Sequence, residues 1–577
     1  MPTFTSRTPL SVILSTPEAR DLLEREAPDF LASPVTHNLS GFPFQAVLGL
    51  VIGDDDDRTA ALTAAISELH DPRPAEPEEA PRHADSAYES SGVERASARV
   101  EPPTGAESNQ RADIVLHGPS HGNPFVDVEL TAEFRLDDRS IRVGGFYDGD
   151  GRYVLRFLPP RAGAWTFTTR STARSLDGIA GTVDVSAGDR PGPVGVVDQF
   201  HFQYAIGTPY RPLGTTSYVW THQPVALQEE TLRALKDSPF TKIRMGLFPK
   251  DFIYNANEPD RFVWLRDEGG EFDTTRFDVE FWRDFERRID QLDALGIQAD
   301  VIVVHPYDRW GFATQSRAAD DRYVRYLARR LGGFANVWWS LANESDLLLT
   351  QDPDDWDRLA RIITEESAAS HLTSIHNWVE LWDYSSPWAT HCSIQRGENI
   401  AKNVDAWRKR WGKPVVIDEC GYEGDLDQGW GNLMGEELVR RFWEATIRGG
   451  YATHGETFYN AEEVIHWSKG GAFRGESLDR LEFLDTIVAA SPSGRLDPLP
   501  SDWDVPWGGV PGEYAVLYFG GARPAFRDVI VPAGMTAEID VIDTWNMTIE
   551  VRPGTHTGTV RVPLPSRPFM AIRLRTI

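Results

Sequence analysis

The spacing of apolar positions changes along the chain and divides it into segments of different structure. Residues 1–70 contain stretches with apolar side chains every three or four positions, which predict helices. Residues 71–110 are rich in Pro, Glu, Ala and Ser and have little aliphatic bulk, which predicts a linker. Apolar and polar residues alternate over 111–197, which predicts an immunoglobulin-like β-sandwich, and the same alternation over 496–577 predicts a C-terminal β-sandwich.

The middle segment, residues 198–495, alternates apolar strand-like runs with helical patterns. The eight runs are 211–218, 241–248, 297–305, 336–344, 373–378, 388–395, 413–419 and 450–458. Eight strands, mostly separated by helices, predict a (β/α)8 TIM barrel, in which the unit after the fifth strand is the least regular. A doubly wound open sheet is the alternative, but it usually has fewer strands and a Gly-rich first turn, which is absent from this sequence.

The fourth and seventh predicted strands each end in a glutamate, Glu344 and Glu419, after mostly apolar residues. The two lie 75 positions apart (419 − 344), about three βα units, so strands four and seven face each other across the mouth of the barrel. Taken singly, either glutamate could be a solvated or ion-paired charge. Together they favour glycosidic bond cleavage, because that reaction needs two carboxylates facing one cavity.

The segments WWSLANES and VVIDECGYEGDLDQGWG around these glutamates resemble the retaining glycosidases of clan A. A closer resemblance is to a group of bacterial glycosidases with an apiosidase-like barrel, which have a small β-sandwich before the barrel and a β domain after it. Its recurring pieces are GNPFVDVEL, YRPLGTTSYVWTHQ, KIRMGLFPK, NVWWSLANESDLL, KPVVIDECGYEGD, GGYATHGET and HWSKGGAFRGES, spread over about residues 115–577. The resemblance implies that Glu344 is the general acid/base and Glu419 the nucleophile. With these roles, the charge of Glu419 and the apolar surroundings are expected to raise the pKa of Glu344 and keep it protonated. It also implies that Asn343 binds the sugar 2-hydroxyl and that Arg244 contacts the nucleophile.

Two positions depart from the clan pattern. Many clan members end strand eight with a tryptophan, where this chain places Glu456, and strand six ends at Gln395 without an obvious tyrosine. The reacting sugar is therefore expected to differ from a common hexopyranoside, which favours a pentose, a furanose or a sugar with an unusual substituent.

Further substrate-binding candidates lie in loops beyond the predicted strands, where indole rings can stack on sugar C–H faces and polar groups can bind hydroxyls. These candidates are Tyr218, Trp220, His305, Tyr307, Asp308, His376, Trp378, Tyr422, Trp430, Trp467 and Lys469. For each of them, packing in the core or hydrogen bonding within the loop is the competing interpretation.

Metal and cofactor chemistry is not indicated. A metal-dependent barrel hydrolase commonly has His-x-His on strand one, where this chain reads Thr215-Thr216-Ser217. With two cysteines, a disulfide scaffold and a four-cysteine zinc site are excluded. We therefore expect no metal and no cofactor.

The charge of the chain narrows its partners. With 58 Lys and Arg against 87 Asp and Glu, the net charge of −29 argues against nucleic acid and anionic membranes as partners. The chain has no long apolar segment, and its start lacks the pattern of a secretory signal, which predicts a cytoplasmic protein.

The sequence thus predicts a retaining glycoside hydrolase that acts from the chain end of short oligosaccharides or glycosides. The alternatives are a non-catalytic carbohydrate-binding barrel, a metal-dependent hydrolase and a transglycosylase. The sugar, its anomer and linkage, homo-oligomerisation and the role of the N-terminal helices stay open.

Overall fold

A sheet of eight parallel strands, β1 to β8, forms the centre of the computed structural model. In chain order they are Gly214–Thr216, Lys242–Gly246, Gln298–Val304, Val337–Ala342, Thr373–Ser374, Cys392–Gln395, Val415–Glu419 and Tyr451–His454. Their spatial order, β5-β4-β3-β2-β1-β8-β7-β6, is the cyclic order of a (β/α)8 barrel. A parallel bridge between His376 and Ser393 joins the β5 and β6 sides. The predicted eight-stranded barrel sheet is confirmed, and the open doubly wound order is not found.

The structure describes residues 3–5, 8–33, 36, 42–52, 56–71, 82–348, 350–500 and 502–577. Parts of the predicted helical segment and residues 72–81 of the predicted linker lie outside these ranges.

Amphipathic helices cover the outside of the barrel sheet. They are Val225–Lys236, Val279–Ala294, Arg317–Leu331, Pro353–Glu366, Ile400–Trp411, Gly435–Ile447 and Ser477–Ala489. The helix Val279–Ala294 shows why these residues form helices: the Asp278 side chain caps its first N–H groups, and Trp282, Phe285 and Ile289 form its buried face. Between β5 and β6 the chain passes through turns instead, as the irregular sequence of that unit indicates.

A small three-stranded sheet closes the N-terminal end of the barrel. It consists of Val194–Val197, His201–Tyr204 and Pro209–Tyr210. The Phe202 ring lies 5.3 Å from that of Trp338 in β4, and both pack in one apolar cluster with Val416 of β7. The carboxyl ends of the strands therefore form the open end, where active sites of this fold lie.

Before the barrel, seven antiparallel strands form a sheet around its own apolar core. They are Arg99–Glu101, Ala112–His117, Leu130–Leu136, Arg139–Tyr147, Arg152–Phe157, Gly163–Ser171 and Ala180–Val185. The first strand lies inside the range predicted as linker, because a three-residue strand flanked by polar residues and prolines gives no alternating pattern of its own. It pairs with the second strand, Arg99 opposite His117.

After the barrel, the chain forms a six-stranded sheet and a two-stranded sheet with a shared core. The strands are Asp497–Pro498, Trp507–Val510, Tyr514–Tyr518, Phe526–Ile530, Ala537–Asp543, Thr548–Val551, Thr559–Pro563 and Met570–Thr576.

Short helices at the N-terminus pack on one another around an apolar core. They are Leu10–Ser15, Pro17–Glu26, Pro28–Ala32, Phe44–Ile52 and Asp56–Ser67. The ring of Phe42 lies 5.7 Å from that of Trp378, which follows β5. This contact brings the N-terminal helices to the mouth of the barrel. In the described part of the chain, every helix is too short or too polar to cross a bilayer.

Candidate active site

Glu344 lies directly after β4 in a conformation that few residues other than glycine adopt. Its φ of 49° and ψ of 57° place it in the left-handed region. The backbone around it is fixed by His376, whose carbonyl accepts the Ser345 N–H at 2.8 Å and whose Nδ1 accepts the Glu344 N–H at 3.4 Å. Glu344 is 4% exposed, and its carboxylate accepts a hydrogen bond from the Tyr307 hydroxyl. Backbone strain held by such contacts is typical of functional positions.

Glu419 ends β7 on the facing side of the barrel, and it is also buried. The Tyr218 hydroxyl donates a hydrogen bond to its Oε1. His376 Nε2 lies 3.9 Å from the same oxygen, while Nδ1 of that ring accepts the Glu344 N–H. One imidazole therefore lies between the two glutamates.

Lys250, which follows β2, provides a second connection. Its Nζ lies 3.9 Å from the centre of the Tyr218 ring and 4.1 Å from that of Tyr307. Since one of these tyrosines binds Glu419 and the other binds Glu344, a continuous set of contacts joins the two carboxylates. Glu344 and Glu419 thus lie close to one another at the carboxyl ends of the barrel strands.

The environment of Glu344 changes the pKa of its carboxyl group. Burial and, after it, the charge of Glu419 together raise the pKa of Glu344 to about 8. The nearby charge of Lys250 and the hydrogen bond from Tyr307 act against this rise. Glu344 is therefore protonated at neutral pH, as the sequence predicts.

Arg244 in β2 supports Asn343. Its Nη2 donates to Asn343 Oδ1 at 2.8 Å and its Nη1 to Ser340 Oγ at 3.2 Å. The family resemblance implies a contact with Glu419, but the hydrogen bonds of Arg244 go to Asn343 and Ser340, and its charge acts on Glu419 through space.

Beneath the mouth lies a buried group of charges that the sequence analysis missed. Lys242 Nζ donates to Asp300 Oδ2 at 2.8 Å and to Asp418 Oδ1 at 2.6 Å, and Arg244 lies 3.7 Å from Asp300. The two cations hold the pKa of Asp418 far below its usual range. The signal was present in the sequence, because charged residues interrupt apolar strands at positions that face the barrel interior.

An aromatic wall stands beside Glu419. Trp467 lies 5.7 Å from Tyr218 and 5.0 Å from Trp430, and Tyr422 lies 6.0 Å from Trp430 between ring centres. Tyr218, Tyr422 and Trp467 are buried, whereas Trp430 is half-buried. The structure thus brings these four predicted residues together beside Glu419.

Three other predicted residues have different surroundings. Trp220 is fully buried in the barrel core, where no sugar can reach its ring, because it lies in a short 3₁₀ turn that packs inward. His305 is buried with Nε2 against the Phe248 carbonyl at 3.2 Å. The Asp308 carboxylate accepts the N–H groups of Trp310 and Ala313 and so fixes its own loop.

The remaining predicted residues lie around the mouth. Trp378 is half-buried against Phe42, and its backbone N–H donates a hydrogen bond to the side chain of Asp346, two residues after Glu344. Gln395 is half-buried at the end of β6, and its side-chain oxygen has no hydrogen-bond partner among the described residues. Lys469 is half-buried at the end of the short helix His466–Lys469.

Glu456 anchors a loop. Its carboxylate accepts the N–H groups of Arg474 and Gly475, and Glu423 in turn accepts those of Glu476 and Ser477. The loop is held so closely that a Cβ on Gly475 would lie 2.3 Å from Glu423 Oε2.

With His454, the two carboxylates of Glu423 and Glu456 have the ligand types of a metal site, and their ligand atoms lie within 4.8 Å of one another. The four backbone N–H groups of the loop occupy the carboxylates, however, so we assign them to holding the loop.

The comparisons with known proteins agree with this geometry. A solved structure from Bacteroides vulgatus, assigned as a glycoside hydrolase, superposes with a TM-score of 0.76 at 35% sequence identity, over 82% of this chain and 99% of that chain. This chain belongs to the glycoside hydrolases. It is therefore a glycosidase, and the region around Glu344 and Glu419 is its candidate active site.

Two further solved structures share the fold of this glycoside hydrolase at lower identity. One, described as a glycoside hydrolase, has a TM-score of 0.51 at 16% identity over 67% of this chain and 97% of that chain. The other, a family 5 glycoside hydrolase from Bacteroides vulgatus, has a TM-score of 0.52 at 15% identity over 67% and 94%.

Two family models match parts of this glycoside hydrolase outside the barrel. They are domains of unknown function, DUF5060 over residues 106–172 and DUF5605 over residues 503–575. No curated protein sequence matches the chain.

Tyr218→Phe is expected to lower kcat/KM of this glycoside hydrolase by about 10- to 100-fold, since it removes the hydrogen bond that the Tyr218 hydroxyl donates to the carboxyl group of Glu419. Steady-state kinetics on an aryl glycoside would measure the loss. Tyr459→Phe, which removes the hydroxyl of an exposed tyrosine in the loop after β8, is the matched control. Equal losses in the two variants would contradict a specific role of the Tyr218 hydrogen bond.

Proposed function

We propose that this enzyme is a retaining exo-glycosidase, with Glu344 as general acid/base and Glu419 as nucleophile. The observation that carries the proposal is the shared set of contacts between the two glutamates, through His376 on one side and through Lys250 and two tyrosines on the other. Double displacement requires both carboxylates close to one anomeric carbon.

The first step follows from the charge states. Protonated Glu344 gives its proton to the glycosidic oxygen as the bond to the leaving group breaks, and the carboxylate of Glu419 forms a bond to the anomeric carbon. Arg244 positions Asn343 through its hydrogen bond, which would direct the amide toward the sugar 2-hydroxyl.

The second step follows from the loss of one charge. Once Glu419 is esterified by the sugar it no longer repels the ionised form of Glu344, so the pKa of Glu344 falls. Ionised Glu344 then takes a proton from water as the water oxygen attacks the anomeric carbon and the ester bond to Glu419 breaks. This step regenerates the Glu419 carboxylate and releases the sugar with its original configuration.

An exo mode on short substrates is supported by the surroundings of the mouth. Phe42 of the N-terminal segment meets Trp378, and the Trp378 backbone is held by Asp346 next to the general acid. A mouth covered on the β5 side would favour a pocket over an open cleft. The reacting sugar is proposed to be a pentose, a furanose or a substituted sugar, as the positions of Gln395 and Glu456 suggest.

A panel of aryl glycosides in both anomeric forms, including pentofuranosides, tests the proposal. At least one member should be hydrolysed, and NMR recorded during the first turnovers should show a product of unchanged anomeric configuration. Inversion of configuration would contradict double displacement. Binding of sugars without turnover would favour the non-catalytic alternative, and products extended on added acceptor sugars would favour a transglycosylase.

A further inference from the structure

Lys250 has an environment that the mechanism above does not explain. It is 4% exposed, and its Nζ lies 3.9 to 5.5 Å from the ring centres of Tyr218, Tyr307, Trp467 and Phe252. Within the described ranges of the chain, its ammonium group has no hydrogen-bond acceptor and no ion-pair partner; the charges of the two glutamates act on it only from a distance. Aromatic faces attract a cation, but they leave its three N–H donors unfilled.

A buried ammonium group without acceptors is costly, and this protein avoids that cost elsewhere. Lys242, fully buried eight positions earlier, donates to both Asp300 and Asp418 at less than 3 Å. Burial lowers the pKa of Lys250, whereas the carboxylates around Lys242 raise the pKa of that group. Lys242, which only supports the fold, thus has carboxylate partners within the protein. The ammonium group of Lys250 has none among the described residues.

The position of the Lys250 ammonium group indicates which kind of group would accept its hydrogen bonds. Lys250 lies between the tyrosine that binds Glu419 and the tyrosine that binds Glu344, so its ammonium group is near both carboxylates, where the proposed mechanism places the reacting sugar. In an aromatic surrounding of low polarity, an anionic acceptor compensates a cation far better than a hydroxyl does.

We propose that Lys250 binds an anionic substituent of the reacting sugar, so that the enzyme acts on glycosides of an acidic sugar. The anion is a carboxylate, as in a uronic acid, or a sulfate ester. This inference rests on the proposed function, and among the three kinds of sugar considered there it selects the substituted one.

The test compares aryl glycosides in matched pairs. 4-Nitrophenyl glucuronides and galacturonides, and the 6-sulfates of the corresponding glucosides and galactosides, are set against the neutral glucosides and galactosides in both anomeric forms. We expect the acidic member of one pair to have the higher kcat/KM. The carboxylate and sulfate arms identify which anion is bound.

Lys250→Met should lower the ratio of acidic to neutral kcat/KM by about 10- to 100-fold, the loss expected for one hydrogen bond to a charged group. Lys250→Arg, which keeps the charge, should retain a larger part of the ratio than Met does. Lys402→Met, at an exposed position on the helix after β6, is the matched control and should leave the ratio unchanged. Thermal unfolding of each variant reports whether it is folded, and the Lys250→Arg comparison still decides if Lys250→Met is not.

Hydrolysis of neutral glycosides with a ratio that Lys250→Met does not change would overturn this inference and leave the glycosidase mechanism intact. If no glycoside of either kind is hydrolysed, the proposed mechanism fails, and the inference fails with it.

Discussion

Glu419→Gln is expected to lower kcat/KM on any accepted glycoside by on the order of 10⁵-fold, because no covalent intermediate can form without the carboxylate. The variant should remain folded, since an amide of the same shape still accepts the hydrogen bond from Tyr218. Steady-state kinetics with thermal unfolding as a folding check would measure both. Glu462→Gln changes an exposed glutamate in the loop after β8 and should have no effect.

A second variant at this position tests whether Glu419 acts as the nucleophile or as the acid/base. In Glu419→Ala, added azide has room to attack the anomeric carbon from the face that the carboxylate occupied. The expected product is a glycosyl azide of inverted configuration, seen by NMR. Recovery of the retained azide would instead assign Glu419 as the acid/base and exchange the proposed roles.

Glu344→Gln is expected to produce a loss that depends on the leaving group. For alkyl glycosides, which need protonation, kcat/KM should fall by about 10²- to 10⁴-fold, the usual contribution of a general acid. For 2,4-dinitrophenyl glycosides, which leave without a proton, the first step should change far less. Equal losses for both kinds of leaving group would show that Glu344 does not protonate the leaving group.

The pH dependence provides an independent check of the same residue. Because burial and the Glu419 charge raise the pKa of Glu344 to about 8, the acid form persists through neutral pH, and kcat/KM should decline only above that value. Glu344→Gln should remove this alkaline decline. Tyr307→Phe should move it to higher pH, since the Tyr307 hydrogen bond favours the ionised form. A decline that persists in Glu344→Gln would belong to another group.

The barrel could be predicted from the sequence because its strands are fully buried and read as apolar runs. Each of the eight predicted runs contains one observed strand, and fold geometry then places Glu344 and Glu419 at one mouth without any knowledge of side-chain contacts. The strand Arg99–Glu101 shows the opposite case: it is formed by pairing with a distant partner, which local patterns do not record.

The details of the site depend on directions that a sequence does not contain. Trp220 follows a strand, as Trp467 does, yet the first is turned into the core and the second toward the site. Lys250 lies four residues after the end of β2, and only the folded loop reveals that aromatic rings rather than water surround it. Asp308 is of a residue type that often binds ligands, but its carboxylate accepts hydrogen bonds from N–H groups of its own loop.

The loop that Glu423 and Glu456 hold has a consequence for engineering. Glu423 follows β7 and Glu456 follows β8, and their carboxylates accept four successive N–H groups, 474 to 477, while Gly475 leaves no space for a side chain. The shape of the loop therefore depends on the two glutamates and on the glycine together, and the loop cannot vary in sequence independently of them. A graft of this loop from a homologue would keep its shape only if the two acidic residues and the glycine were transplanted along with it.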